Sequence, residues 1–146
     1  MGLHIRNERQ LRALTGLSQS QFYYLLICFS DIYSERQQQT YKKGLESGAR
    51  ARKPGGGSKG KLPTMTDKLL FILSYYKTYP TFDVLGSQFD ISRLKSQANV
   101  HKLSPILYDT LVSLELMPYR RFETPADLKN ALSGIDKVII DATKRT

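Results

Sequence analysis

TFDVLGSQFDISRLKSQANVHKL, residues 81–103, reads as two short helices joined by a tight turn. Thr81 stands where a cap is needed before 82–89, Asp90-Ile91 interrupts the pattern, and Ser92 stands as the cap of a second helix. A small hydroxyl side chain at a helix start accepts a hydrogen bond from an amide that would otherwise lack a partner. The first helix is predicted to cross the second through Val84, Leu85 and Phe89, with Ile91 closing the turn. At about 100° per residue, Val100, Leu103 and Leu107 share one face of the second helix. Lys95, Ala98 and Lys102 fall on the opposite side, flanked by Leu94 and His101. The pattern predicts an apolar inward face and a basic outward one.

This is the order of a helix-turn-helix, whose second helix enters the major groove of DNA. Ser92 and Arg93, at the start of that helix, are placed to meet phosphates or base edges, because the free amides there attract anions. Arg93 is the candidate base reader, since its guanidinium fork matches guanine. Lys95 and Lys102 are candidates for neutralising phosphates, against the ordinary alternative of solvated surface charges. His101 reads as structural or surface, since His4 is the only other histidine and no metal set can be assembled.

Upstream, Thr66 is the expected cap of a helix carrying Leu69, Leu70, Ile72, Leu73 and Tyr76, with Pro80 marking its end. Before it, GARARKPGGGSKGK (48–61) joins a glycine triplet to Arg50, Arg52, Lys53, Lys59 and Lys61. So little apolar content gives no way to offset ordering entropy, so a flexible basic linker is expected. Arg50, Arg52 and Lys53 are candidates for an arm that follows DNA phosphates. Near the N-terminus, residues 7–14 are a short helical candidate. Ser18 with Gln21 then forms a capping box for a longer helix, with Phe22, Leu25, Leu26, Phe29 and Tyr33 on one apolar face. After Ser34 the sequence turns polar, and the helix either runs on in solvent or frays toward Gly48. Leu107, Leu111 and Leu114 extend the helical pattern past Pro105, which either kinks the helix or breaks it in two. Thr124-Pro125 opens a last helix, closed by Gly134.

Composition sets the partner class. The 22 Lys and Arg against 13 Asp and Glu leave a formal charge of +9 over 146 residues, a field that attracts polyanions. The length allows one compact domain or two very small ones and excludes a large two-domain enzyme. Cys28 is the single cysteine and lies in an apolar run, so it reads as a buried inert thiol, with no internal disulfide or cysteine-rich zinc site. The N-terminus has no apolar signal core and the longest apolar run, 69–73, is far too short to span a bilayer, so a cytoplasmic protein with no membrane partner is expected.

Two stretches, LFILSYYKTYPTFDVLGSQFDIS (70–92) and VIIDATKR (138–145), carry a resemblance. The chain resembles the bacterial insertion-sequence transposases of the DDE superfamily, whose N-terminus holds a helix-turn-helix module, and the likeness spans most of 63–146. The resemblance implies that Asp141 corresponds to the first of three carboxylates that hold two metal ions for strand cleavage and transfer. Two-metal phosphoryl transfer needs several carboxylates around both ions, and the rest of the triad is not present. The expectation is a fragment inactive alone, with no metal site or cofactor of its own. Mg2+ or a similar divalent ion belongs only to a complete transposase. Lys144 stands where that family usually has Glu, and the recognition helix places Leu94 outward and Ser96 near the core.

The expected fold is therefore all-α: a small helical helix-turn-helix domain with a flexible basic linker and a truncated C-terminal β-strand. The expected divisions are an N-terminal helical region at 1–47, the linker at 48–62 and the helix-turn-helix domain at 63–118. Residues 119–146 would form a connector helix and the first strand of a truncated RNase H-like catalytic domain. The expected partners are double-stranded DNA at terminal inverted repeats and the catalytic half of the transposase. The alternative is a free-standing transcriptional regulator, which would require a stable dimer to pair two recognition helices about 34 Å apart.

Overall fold

A computed structural model describes residues 5–48, 60–117, 124–134 and 136, and these contain six helices and no strand. The predicted strand at 138–140, Asp141, and the linker residues 49–59 with Arg50, Arg52 and Lys53 lie outside the described residues. α1 is Glu8–Thr15, α2 Gln19–Glu46, α3 Met65–Thr78, α4 Phe82–Phe89, α5 Arg93–Ser113 and α6 Pro125–Ala131.

Local chemistry sets most of these boundaries. The Asn7 side chain accepts the Gln10 amide at the start of α1, and Gly16 ends that helix in the left-handed region at φ 77°. Ser18 and Gln21 form the expected reciprocal box at the start of α2. α3 begins earlier than the sequence pattern predicts: Thr64, not Thr66, is the cap. The reason is Asp67, which sits three residues after Thr64 and closes a capping box. The Asp67 amide donates to Thr64 Oγ1 at 3.1 Å, and Asp67 Oδ2 accepts in return from the Thr64 amide at 3.3 Å. Thr81 and Ser92 cap α4 and α5 as predicted. Thr124 caps α6, which begins with Pro125 at its first position and buries no residue.

Packing settles two points that the sequence leaves open. α5 is one continuous helix of 21 residues with Pro105 inside it. Proline has no amide to donate and its ring crowds the preceding turn, but buried Leu103, Ile106, Leu107 and Thr110 on both sides of Pro105 hold the helix to the core. α2 runs unbroken for 28 residues, yet its buried residues, Phe22, Leu25, Phe29 and Tyr33, all lie at or before Tyr33. Beyond Tyr33 the helix is a largely solvated extension that meets α5 at Arg36.

α1 lies on α3, α2 packs against α3 and α5, and α4 and α3 each pack against α5. Phe29, Leu69, Phe71, Ile72, Leu85 and Leu103 are nearly or fully removed from solvent. Burying each such side chain contributes roughly 1.5–3 kcal/mol. Phe71 meets Phe89 edge to face with ring centroids 5.1 Å apart. The N-terminal helices, read from the sequence as a region of their own, thus close the same core as α3, α4 and α5 through Leu11, Phe22, Leu25 and Phe29. Val84 departs from its expected packing role and is half exposed, while Leu85 and Phe89 fill the contact. Cys28, expected to be buried, is half-buried.

Candidate nucleic-acid interface

The turn between α4 and α5 depends on one close approach. Asp90 takes the left-handed conformation at φ 56°, which a short polar side chain tolerates better than most, and the amides of Asp90 and Ile91 both reach the Gly86 carbonyl. A Cβ on Gly86 would lie 2.4 Å from the Ile91 carbonyl oxygen and 3.0 Å from Ser96 Oγ. Glycine at 86 therefore lets the turn and α5 close onto α4. Ser96, fully buried at this contact, directs its hydroxyl back to the Ser92 carbonyl at 3.0 Å, so no hydrogen-bonding capacity is stranded there. Ile91 is partly buried against the core, as its predicted role in the turn requires.

The outward face of α5 differs from the one read off the sequence. Ile106 and Thr110 are buried as well as Val100, Leu103 and Leu107, and they rotate the inward direction toward α2 and α3. Opposite the buried face now stand Leu94, Gln97, Ala98 and His101, all exposed. Arg93 marks one edge of this open face and Lys95 the other, both exposed. Ser92 remains exposed at the N-cap, where its Oγ accepts the Lys95 amide at 3.3 Å. Gln97 was missed by sequence reading, although its place one turn after Arg93 and Leu94 was the available signal.

Lys102 lies on the edge that faces α2. Its Nζ donates to Tyr33 Oη at 3.2 Å and lies 5.4 Å from the Tyr33 ring centroid. Lys68 Nζ is 5.6 Å from the same ring and donates to the Leu62 carbonyl at 2.6 Å. Lower on the same edge, Arg36 of α2 forms an ion pair with Asp109 of α5, with Nε donating to Oδ2 at 3.0 Å. One edge of α5 is thus braced by α2, and its outer face is left open. These partners are 69 and 73 residues apart in the chain, and no local pattern pairs them.

Lys61, the last cation of the basic stretch, reaches Asp90 in the turn, with Nζ donating to Oδ2 at 3.0 Å. The Lys61 ammonium, through this hydrogen bond and its charge, holds the Asp90 carboxyl below its ordinary range. The end of the linker is thereby tied to the helix-turn-helix itself.

Residues 60–113 match the family model of the helix-turn-helix of DDE superfamily endonuclease. The matched segment runs from just before Lys61 to the last residue of α5, so α3, α4 and α5 form a DNA-binding helix-turn-helix domain of the DDE-superfamily, transposase-related kind. The helices that brace this domain, α1 and α2, lie outside the matched segment. Searches of curated proteins and of solved structures give no match. Among the described residues no group of three or more His, Cys, Asp or Glu side chains stands close enough to hold an ion. Among these residues, also, no helix is long and apolar enough to cross a membrane.

Proposed function

We propose that this chain is the DNA-binding N-terminal portion of an insertion-sequence transposase and recognises the terminal inverted repeats of its element. The observation that carries this reading is the open outer face of α5 within the matched helix-turn-helix. Its first two turns expose Arg93, Lys95, Gln97 and Ala98, while α2 and α4 hold the rest of the helix rigidly. A preorganised helix with exposed donors at its N-terminal end suits entry into the major groove. Arg93 is the proposed reader of guanine, Ser92 and Lys95 the contacts to the flanking phosphates. Arg50, Arg52 and Lys53 would add further phosphate contacts along the backbone. Asp141 would be the first carboxylate of the catalytic domain. The protein would act in the cytoplasm, in company with that catalytic half.

The test is a binding titration against the element's end sequence and against random duplex, at several salt concentrations. Specific recognition predicts tighter binding to the end sequence at every salt, with the Arg93→Ala variant losing most of the difference. Equal affinity for both duplexes would remove the claim of end recognition and leave general DNA binding.

A further inference from the structure

Leu94 is 77% exposed, more than any other large hydrophobic side chain among the described residues. It stands on α5 directly opposite the buried Ser96 and Leu103, so no rotation of its side chain can return it to the core. Ala98, four residues on and also exposed, continues the same ridge. An apolar ridge thus runs along the part of α5 that faces away from the protein, with the cations Arg93 and Lys95 at its two edges. An isolated exposed leucine is ordinary on a protein surface. What distinguishes this one is its place at the centre of a face whose borders are charged to meet phosphate.

In the major groove the C5-methyl of thymine is the protruding apolar group that the four unmodified bases present; cytosine offers only a flush C5–H at that position, and the other features read there are hydrogen-bond donors or acceptors. Leucine and alanine side chains can make no hydrogen bond to a base edge, so the attractive contact they offer there is to this methyl. We propose that Leu94 and Ala98 read the C5-methyl group of thymine beside the base contacted by Arg93. The proposal rests on the reading of 60–113 as a module that enters the major groove, and it adds a base preference to it. Burying one methyl-sized group corresponds to roughly 0.8 kcal/mol, which converts to about fourfold in affinity. Leu94, as the longer side chain, carries the greater part.

The experiment selects bound duplexes from a synthetic, unmethylated random library with the full chain and with Leu94→Ala. It then replaces each enriched thymine by uracil, which deletes the methyl and keeps the pairing. The expected result is an enriched thymine whose conversion to uracil weakens binding of the unaltered chain about fourfold and weakens binding of Leu94→Ala clearly less, by the smaller share left to Ala98. A selection that enriches no sequence would sink the groove-reading interpretation together with this proposal. Enrichment in which no uracil substitution matters would overturn the methyl contact alone and leave groove reading standing. A parallel library made with 5-methylcytosine in place of cytosine separates the two sources of the same methyl. Enrichment of the methyl position only there would overturn the assignment to thymine. Since Leu94 is largely exposed, its variant should unfold at the same temperature as the parent chain, which a thermal melt verifies.

Discussion

α2 and α5 are the two long helices of the molecule, both started by a serine cap, and they spend their length differently. α5 buries residues from Ser96 through Thr110. α2 buries nothing beyond Tyr33 and continues as a solvated helix to Glu46. In α5 the tertiary packing is continuous enough to carry a proline through the helix interior. Beyond Tyr33, α2 keeps one tertiary tie, the Arg36 ion pair to Asp109 of α5, and carries Gly44 only in its last turn, where a poor helix former costs least. The contrast explains where a rigid reading surface can form. An exposed face holds its position only where the opposite face is packed, and the first turns of α5 meet that condition.

Core packing gives the largest way to break this comparison. Phe29→Ala, in the buried half of α2, should cost about 3–5 kcal/mol, because it strips apolar packing from the core and leaves a cavity. Gln38→Ala, in the exposed half, should stay within about 0.5 kcal/mol. Urea denaturation of both variants checks this, and a costly Gln38→Ala would mean that α2 also packs on something at Gln38. Next in size is Gly86→Ala, which puts a methyl against the Ile91 carbonyl and should cost roughly 1–3 kcal/mol. Its effect on DNA binding should exceed its effect on stability, because the strain is relieved by moving α5 off α4. Stability and affinity both equal to those of the parent would show that the close approach at Gly86 is not needed.

What could be read from the sequence was local. Ser18, Thr81, Ser92 and Thr124 were legible as caps because capping depends on residues three apart, and Phe22 through Tyr33 were legible as a face because helical periodicity is short-ranged. Thr64 was overlooked because two threonines compete there, and only the reach of Asp67 back to Thr64 decides between them. The outward face of α5 came out turned because Ile106 and Thr110 owe their burial to helices elsewhere in the chain. The brace from Tyr33 and Arg36 was not legible at all, since nothing near either residue in sequence points to Lys102 or Asp109.

That brace separates two lysines which the sequence treats alike. Lys95→Ala should leave stability unchanged and lower the slope of log affinity against log salt by about one, as expected when a single phosphate is no longer neutralised. Lys102→Ala should instead cost about 0.5–1 kcal/mol of stability, because its ammonium lies over the Tyr33 ring at a partly exposed site. Its salt slope should change less than that of Lys95→Ala. A Lys102 variant with unaltered stability and a slope reduced by a full unit would reassign this lysine from the brace to the DNA.

The smallest expected effect belongs to the contact between the linker's end and the turn. Lys61 lowers the pKa of Asp90 in the folded protein, so this group stabilises the fold above the ordinary aspartate range. The contribution disappears as pH falls through the depressed folded value, where the folded and unfolded carboxyls are both protonated. Asp90→Asn removes the charge, and asparagine retains tolerance of the left-handed backbone found at this position. The difference in urea midpoint between the parent and Asp90→Asn should therefore be present at neutral pH and shrink below the ordinary carboxylate range. It should shrink again when salt is added at neutral pH, because both side chains are solvent-exposed and readily screened. A difference that persisted in acid would mean Asp90 supports the turn through its shape and hydrogen bonds, and that Lys61 does not anchor the linker through charge.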